Sequence, residues 1–285
     1  VLAGKKASVS YDIANKTESV SGSCSPKDFE TMMQLTYLTF TAPRRDDDAF
    51  ASYKNRNKAA LKNQELNPNV AFSDSIQAGI YMKHPRIIRI KADMVDQMDY
   101  DKILSMYQDR FKDASDFTFI FVGNVDVEKM KPVIAEYLGA LPAVNRKETF
   151  KDNKIEMRQG IYKNEFTKQQ ETPKASVFAF YNGDCKYDLR NNLLLSMTSQ
   201  ILDLVYTEKV REDEGGTYGV YVGGTLQKYP KEKAILQIIF DTAPEKKEKL
   251  MKIIFGEIDN ITKTGPSEAN LNKVKEYMLK KHTED

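Results

Sequence analysis

The sequence predicts an α+β protein made of two related α/β domains, and three observations lead there. The chain has 285 residues, a length that ordinarily divides into about two domains of roughly 100–200 residues. β-rich stretches and helix-period stretches follow one another along it. One pattern also occurs twice. A strand, Ser25-Pro26, a helix, a break and a second helix are matched later by a strand, Ala243-Pro244, a helix, Gly265-Pro266 and a second helix. Pro26 and Pro244 lie 218 positions apart, and Met32-Met33 and Leu250-Met251 keep that spacing. Such self-similarity points to a duplicated α/β unit. The first copy continues well past its helix pair, whereas the second stops there.

The elements follow in order. Short strands are predicted at 7–11 and 17–22. Ser25-Pro26-Lys27-Asp28 starts a helix, with Ser25 as cap, Pro26 in the first turn and Asp28 closing a capping box. Phe29, Met32, Met33 and Thr36 keep helical spacing, and Ala42-Pro43 ends the run. A second helix runs from Asp46–Asp48 to about Gln64 and breaks at Asn67-Pro68-Asn69. A third covers 71–80. Asp99 caps a fourth, with Ile103, Leu104, Tyr107 and Phe111 on one face. Phe117 to Val122 reads as a buried strand. Asp126 caps a further helix, with Gly139 in a left-handed position after it and Pro142 preventing continuation. Residues 143–160 are charged and poorly periodic, so the boundary falls there. Strands are then expected near 161–166 and 174–182. A long helix over 187–211 has Leu193, Met197, Ile201, Leu204 and Val205 as its core face. Strands near 217–227 and 233–242 and helices near 245–263 and 267–281 close the chain. Ala234 to Phe240 has the composition of a central strand.

Bulk numbers exclude several classes. The 43 basic and 41 acidic residues leave a formal charge of +2, so nothing draws the whole chain to nucleic acid or an acidic membrane. No window approaches 18 consecutive apolar residues, so no membrane span is expected. Lys54, Arg56, Lys58 and Lys62 form a basic run at helical spacing without interleaved aromatics, which reads as a solvated helix face. Cys24 and Cys185 make no disulfide framework. Val1 without a preceding Met, and a helical pattern running to the end with no closing element, read as the ends of a fragment.

The catalytic inventory is thin. His84 and His282 are the two histidines, and neither lies in an H-x-x-E-H arrangement. A catalytic zinc takes three protein ligands, which these distant histidines and cysteines would supply only by coincidence. There is no G-x-S-x-G elbow, no phosphate loop and no G-x-G-x-x-G. No catalytic residue and no metal ligand is therefore assigned within this chain.

The segment Arg211-Glu212-Asp213-Glu214-Gly215-Gly216-Thr217-Tyr218 is more informative, because it joins a long helix to a strand. Arg211 suits a helix C-terminus, where the dipole favours a cation, and Tyr218 could pack with cross-strand neighbours. Alternatively, the glycine turn presents a guanidinium and a phenol at one sheet edge, the first for peptide carbonyls and the second for an oxyanion. Composition does not choose between these readings.

Arg211, Gly215 and Tyr218 match the Arg-x3-Gly-x2-Tyr pattern of the pitrilysin/insulinase family of zinc peptidases, which includes the mitochondrial processing peptidases, and the sequence resembles that family. Gly216 and Thr217 depart from it, standing where Leu and a small Ala or Ser are usual. Leu2-Ala3-Gly4-Lys5, Ser21-Gly22-Ser23, Phe40-Thr41-Ala42-Pro43-Arg44, Phe117 through Asn124, and Tyr137-Leu138-Gly139-Ala140-Leu141-Pro142 also resemble stretches of bacterial members. The resemblance spans nearly the whole chain.

The resemblance implies a metallohydrolase-like fold, with mostly antiparallel sheets and helices packed on one face. It implies four such domains in two halves that close around a peptide, with zinc bound in the first half. Here 1–145 would be a third-type domain lacking its opening strands, 146–160 a linker, and 161–285 the front of the fourth domain. Arg211 and Tyr218 would bind substrate, the partners being a peptide and the N-terminal catalytic half of the same protein. The chain itself would carry no cofactor and no activity, and zinc would be held in the missing N-terminal half of a zinc metalloendopeptidase. Bacterial envelope members resemble it in motif style, which implies a periplasmic or cell-envelope location. The alternative is a metal-less, structural or chaperone-like peptide-binding relative.

Overall fold

The computed structural model describes residues 2–212 and 219–284, with side chains through Val210 in the first stretch. In chain order the strands and helices are β1 (Ala7–Ile13), β2 (Glu18–Cys24), α1 (Phe29–Thr41), α2 (Asp47–Glu65), α3 (Pro68–Ile80), α4 (Tyr100–Phe111) and α5 (Val127–Tyr137). Then come β3 (Ala175–Asp184), α6 (Leu189–Tyr206), β4 (Val220–Gln227), β5 (Lys233–Thr242), α7 (Lys247–Thr264) and α8 (Glu268–Glu284).

The chain divides into two compact units, Val1–Glu65 with Ile90–Lys151, and Leu66–Arg89 with Asp152–Asp285. A division at 146–160 into successive domains contains no such exchange. Its physical reason is a set of contacts holding α3 to the segment after Asp152. The Arg158 amide donates to the Ile80 carbonyl at 2.7 Å. Its guanidinium Nε donates to the Gly79 carbonyl at 2.9 Å, and Asn164 Nδ2 donates to Ser75 Oγ at 2.7 Å. The same segment, read from sequence as a strand at 161–166, enters no ladder among the described residues, and Ile161 is 96% exposed.

In the first unit β1 and β2 form an antiparallel hairpin, with Ala7 opposite Cys24 and Ile13 opposite Glu18. A 3-10 turn, Pro26–Asp28, leads into α1. The expected capping box takes another form. Ser25 Oγ donates to the Asp28 carboxylate at 2.6 Å instead of accepting a helix amide, and that buried carboxylate also accepts the Lys6 amide at 3.0 Å. The hairpin is thereby tied to the start of the helix. Met32, Met33, Thr36 and Phe40 form the buried stripe of α1. Phe40 meets Tyr107 and Phe111 of α4 and Leu141 in one apolar cluster. Ile103, expected on the same α4 face, is exposed.

Asp113, just beyond α4, is buried and accepts four hydrogen bonds, from Ser115 N and Oγ, Val144 N and Arg146 N. Gly139 is not left-handed. What excludes a side chain there is space, since a Cβ would lie 2.3 Å from the Ala135 carbonyl oxygen. Phe117–Val122 is a further correction. Its residues alternate between half-buried and exposed, but it joins no ladder among the described residues. Phe117 and Phe119 pack on Phe40, with centroids 5.0 and 6.2 Å away, while Ile120 and Val122 are 79% and 92% exposed.

The second unit holds a three-stranded antiparallel sheet of order β3-β5-β4. Its register sets Val177, Phe240 and Val220 in one row and Ala179, Ile238 and Val222 in the next. These residues form the face that meets Leu202 and Tyr206 of α6 and Leu250 and Ile254 of α7. α6 is buried on two sides, because Ile201 and Val205 pack on Val274 of α8. Leu193 and Leu204, expected in its core, fall on the face covered by neither and are exposed.

Candidate functional site

The candidate segment begins where α6 ends. Asp188 caps the start of α6, its side chain accepting the Asn191 amide at 2.8 Å. At the far end Tyr206 is fully buried, and its hydroxyl donates to the Ile254 carbonyl at 3.0 Å. Burial, first, and then the neighbouring Tyr181 and Glu257 hold the Tyr206 phenol above its ordinary pKa, so it stays neutral. A π-helical turn, Thr207–Glu212, follows. Within it Val210 is fully buried, and Lys209 Nζ pairs with Glu257 of α7 at 2.6 Å. The chain is described again from Gly219, and β4 starts at the buried Val220. Val210 and Val220 belong to one apolar cluster, so helix end and strand start are fixed against the same sheet face.

Gly224 sets how closely α6 approaches β4. A Cβ there would stand 2.3 Å from Ser199 Oγ and 3.0 Å from Leu195 Cγ, both on α6. This close approach is what the absent side chain permits.

Of the two sequence-predicted site residues, Arg211 falls in the π-helical turn by its backbone. Its side chain, and the whole of Tyr218, lie outside the described residues. The residues that the sequence reading missed are the anchors, Tyr206, Val210 and Gly224. Tyr206 follows Leu202 at helical spacing, a signal that would have drawn it into the core face. Nothing local marks Gly224, whose role depends on a helix distant in sequence.

The remaining candidates are structural. His84 is half-buried and its Nδ1 accepts the Arg86 amide at 3.2 Å, while His282 is exposed. Both cysteines are free and half-buried, and burial, then Asp28, raises the Cys24 thiol pKa. Among the described residues no group of His, Cys, Asp and Glu side chains could hold a metal ion. No described helix is long and apolar enough to cross a membrane. The basic run on α2 is partly compensated: Lys58 pairs with Asp96 at 2.5 Å, and Lys54 Nζ donates to the Asp96 carbonyl at 3.3 Å.

Antiparallel sheets with a helix-covered face define an α+β fold of the metallopeptidase type seen in solved relatives. Residues 97–278 match the family described as the Peptidase M16 inactive domain, which is more than half of the 285 residues, and the chain belongs to that family. It is similar to the "Probable zinc protease PqqL" of Haemophilus influenzae, 21% identical over 275 residues, covering 95% of this chain and 28% of that protein. The "Zinc protease PQQL-like" of Arabidopsis thaliana is 21% identical over 271 residues, covering 90% of this chain and 28% of the relative. Among solved structures, the periplasmic protease PqqL from Escherichia coli superposes with a TM-score of 0.75 at 20% identity, over 96% of this chain and 30% of that one. The chain thus spans under a third of the length of these relatives.

Proposed function

We propose that this chain is the substrate-binding, zinc-free C-terminal portion of a zinc metallopeptidase that hydrolyses peptides in a closed chamber. The observation that carries this reading is the match of residues 97–278 to an inactive peptidase domain, in a chain whose relatives are named zinc proteases. Residues 1–65 with 90–151 serve as a third-type domain, and 152–285 with 66–89 as the front of the fourth. The partners are a peptide and the N-terminal catalytic half of the same polypeptide, in a bacterial periplasm or cell envelope.

The described residues do not fit a zinc site. Zinc held in the catalytic half would activate the water that attacks the peptide carbonyl. The contribution of this chain is to hold substrate. Arg211 donates hydrogen bonds to peptide carbonyls from a planar, permanently charged fork. Tyr218 donates its phenolic proton to the oxygen on which negative charge develops, an interaction stronger in the transition state than in bound substrate.

The test is Tyr218→Phe in the full-length parent, assayed on a peptide by steady-state kinetics. Loss of a donor to a developing oxyanion lowers kcat by about a hundredfold, with a smaller change in KM. An unchanged kcat overturns the role given to Tyr218.

A further inference from the structure

The β3-β5-β4 sheet has two faces, and α6 and α7 cover one of them. The same register builds the other. Phe178, Ile239 and Tyr221 stand in one row, and Phe180, Gln237 and Gly223 in the next. None of these residues belongs to an apolar cluster among the described residues. The Phe178 and Phe180 rings stack with centroids 6.1 Å apart. Both are half-buried, and Tyr221 is 59% exposed. Surface aromatic residues gathered in this way are what binding surfaces are enriched in. Two polar groups sit among the rings. Gly223 leaves a gap in its row, and the Tyr221 side chain lies over it. A Cβ at Gly223 would stand 2.9 Å from the Tyr221 hydroxyl and 3.1 Å from Gln237 Nε2. The phenol and the carboxamide thus converge over one glycine, and neither side chain has a hydrogen-bond partner among the described residues. Each can both donate and accept, which complements the N–H and C=O of a peptide group.

Charge and size narrow the occupant. Ion pairs close the face at each end, Lys174 with Asp241 at 3.0 Å and Lys233 with Asp184 at 2.8 Å. The rows between them carry no charged residue. The occupant is therefore uncharged where it touches the sheet. From the row of Phe178 to that of Asn182, and across three strands, the face measures about 13 Å by 10 Å, on the order of 200 Å² with its side chains. A stable dimer buries about 800 Å² on each partner, so this face is too small to hold a second copy. It takes about four residues of extended chain. In such a chain the side chains of one face recur every 7 Å or so, about the spacing of the Phe178 and Phe180 rings.

We propose that this open sheet face docks an uncharged stretch of extended peptide with bulky apolar side chains at alternate positions. Those side chains rest on Phe178 and Phe180, and the Tyr221 hydroxyl and Gln237 carboxamide hold the peptide backbone beside them. A peptide lying on a face forms no ladder with the sheet, so side-chain groups take the place of ladder partners. The proposal rests on the reading that this chain holds peptide substrate, and it names the part of the substrate that is read. Tyr221 follows Tyr218 by three positions, a stretch of at most about 11 Å, so one extended substrate reaches both.

Equilibrium binding to the full-length parent tests it, with a chelator present so that nothing is cleaved. The probe is an acetylated, amidated hexapeptide of serine and glutamine that carries phenylalanine and leucine two positions apart. Its counterpart has serine at both places. The first peptide binds at least about tenfold more tightly, and the preference survives high salt. Phe178→Ser combined with Phe180→Ser removes the preference. Tyr221→Phe and Gln237→Leu, which leave the sheet intact, each weaken the first peptide by about three- to tenfold. Equal affinity for the two peptides overturns the proposal. So does a preference that the phenylalanine variant retains, wild-type affinity in both Tyr221→Phe and Gln237→Leu, or binding that appears only as the mass doubles. The role of Tyr218 is read separately, in kcat. If Tyr218→Phe lowers kcat while the platform variants bind as wild type, the platform alone fails. If the platform variants lose the preference while Tyr218→Phe leaves kcat unchanged, the platform stands and the oxyanion role falls.

Discussion

A methyl group added at Gly224 would stand 2.3 Å from Ser199 Oγ and 3.0 Å from Leu195 Cγ. Neither partner has room to retreat freely. Gly224 is held in the ladder opposite Leu236 of β5, and Ser199 Oγ is fixed by donating to the Leu195 carbonyl at 2.9 Å. α6 must therefore move off β4, opening the cluster that holds Leu202, Tyr206 and Val210. Overpacking of this kind costs about 1–3 kcal/mol. For a domain of this size that lowers Tm by about 2–4 °C per kcal/mol. Urea unfolding of Gly224→Ala, followed by far-ultraviolet circular dichroism, measures the loss. Ser199→Ala removes the nearer of the two atoms and, alone, gives up one helix-internal hydrogen bond, a change of about 1 kcal/mol or less. In the double variant the alanine methyl no longer meets Ser199 Oγ, so the two substitutions couple favourably by about 1 kcal/mol or more. A Gly224→Ala variant with wild-type stability, or strict additivity in the double variant, would refute the packing argument.

Two further predictions concern the rest of the chain. Leu250→Ala removes a fully buried side chain beneath the β5 face and costs about 2–5 kcal/mol; scanning calorimetry showing less than about 1 kcal/mol would contradict the core assigned to the second unit. Stability also falls in acid. Hydrogen bonds from Lys112 and then Arg110 hold the Asp109 pKa at about 2. The Ser115 hydroxyl and then the Arg146 amide hold Asp113 well below the usual carboxylate range, as the Ser25 hydroxyl and then the Lys6 amide do for Asp28. Because these folded-state values are lowered, the stabilisation is complete above the unfolded value near 3.8 and is lost as pH falls through the folded values. Circular dichroism should show the loss beginning near pH 4, and Asp113→Asn should flatten it. An acid limb that Asp113→Asn leaves unchanged would be the contrary result.

Much of the fold was legible because its signals are local. Asp99 and Asp126 cap α4 and α5 as their positions imply, accepting the Lys102 and Lys129 amides at 3.1 and 3.3 Å. The apolar stripe Met32, Met33 and Thr36 is buried as its spacing predicts. What was not legible depends on partners far away in sequence. Phe117–Val122 has strand composition, yet a ladder needs a neighbour, and composition does not say whether one stands alongside. The α3 region groups with the second unit through Arg158 and Asn164, contacts with no periodicity to reveal them. α6 shows its sequence stripe to the wrong azimuth, because a helix covered by both a sheet and α8 buries two stripes. At the candidate site the pair Arg211 and Tyr218 came from a motif, while the anchors Tyr206, Val210 and Gly224 emerge only from packing.

The two hairpins show how one plan tolerates different surroundings. β5 runs Ala234 to Phe240 almost without polar residues, as suits a strand paired on both edges. β2 alternates, with Ser19, Ser21 and Ser23 on one face and Val20, Gly22 and Cys24 on the other. The serine face is exposed, and Val20 and Cys24 are half-buried. That alternation concerns the faces of the sheet, and pairing concerns its edges. The polar composition of β2 follows from its half-exposed faces. Its faces are those of a half-exposed antiparallel strand, and a strand of that kind is as much at home inside a sheet as at its border.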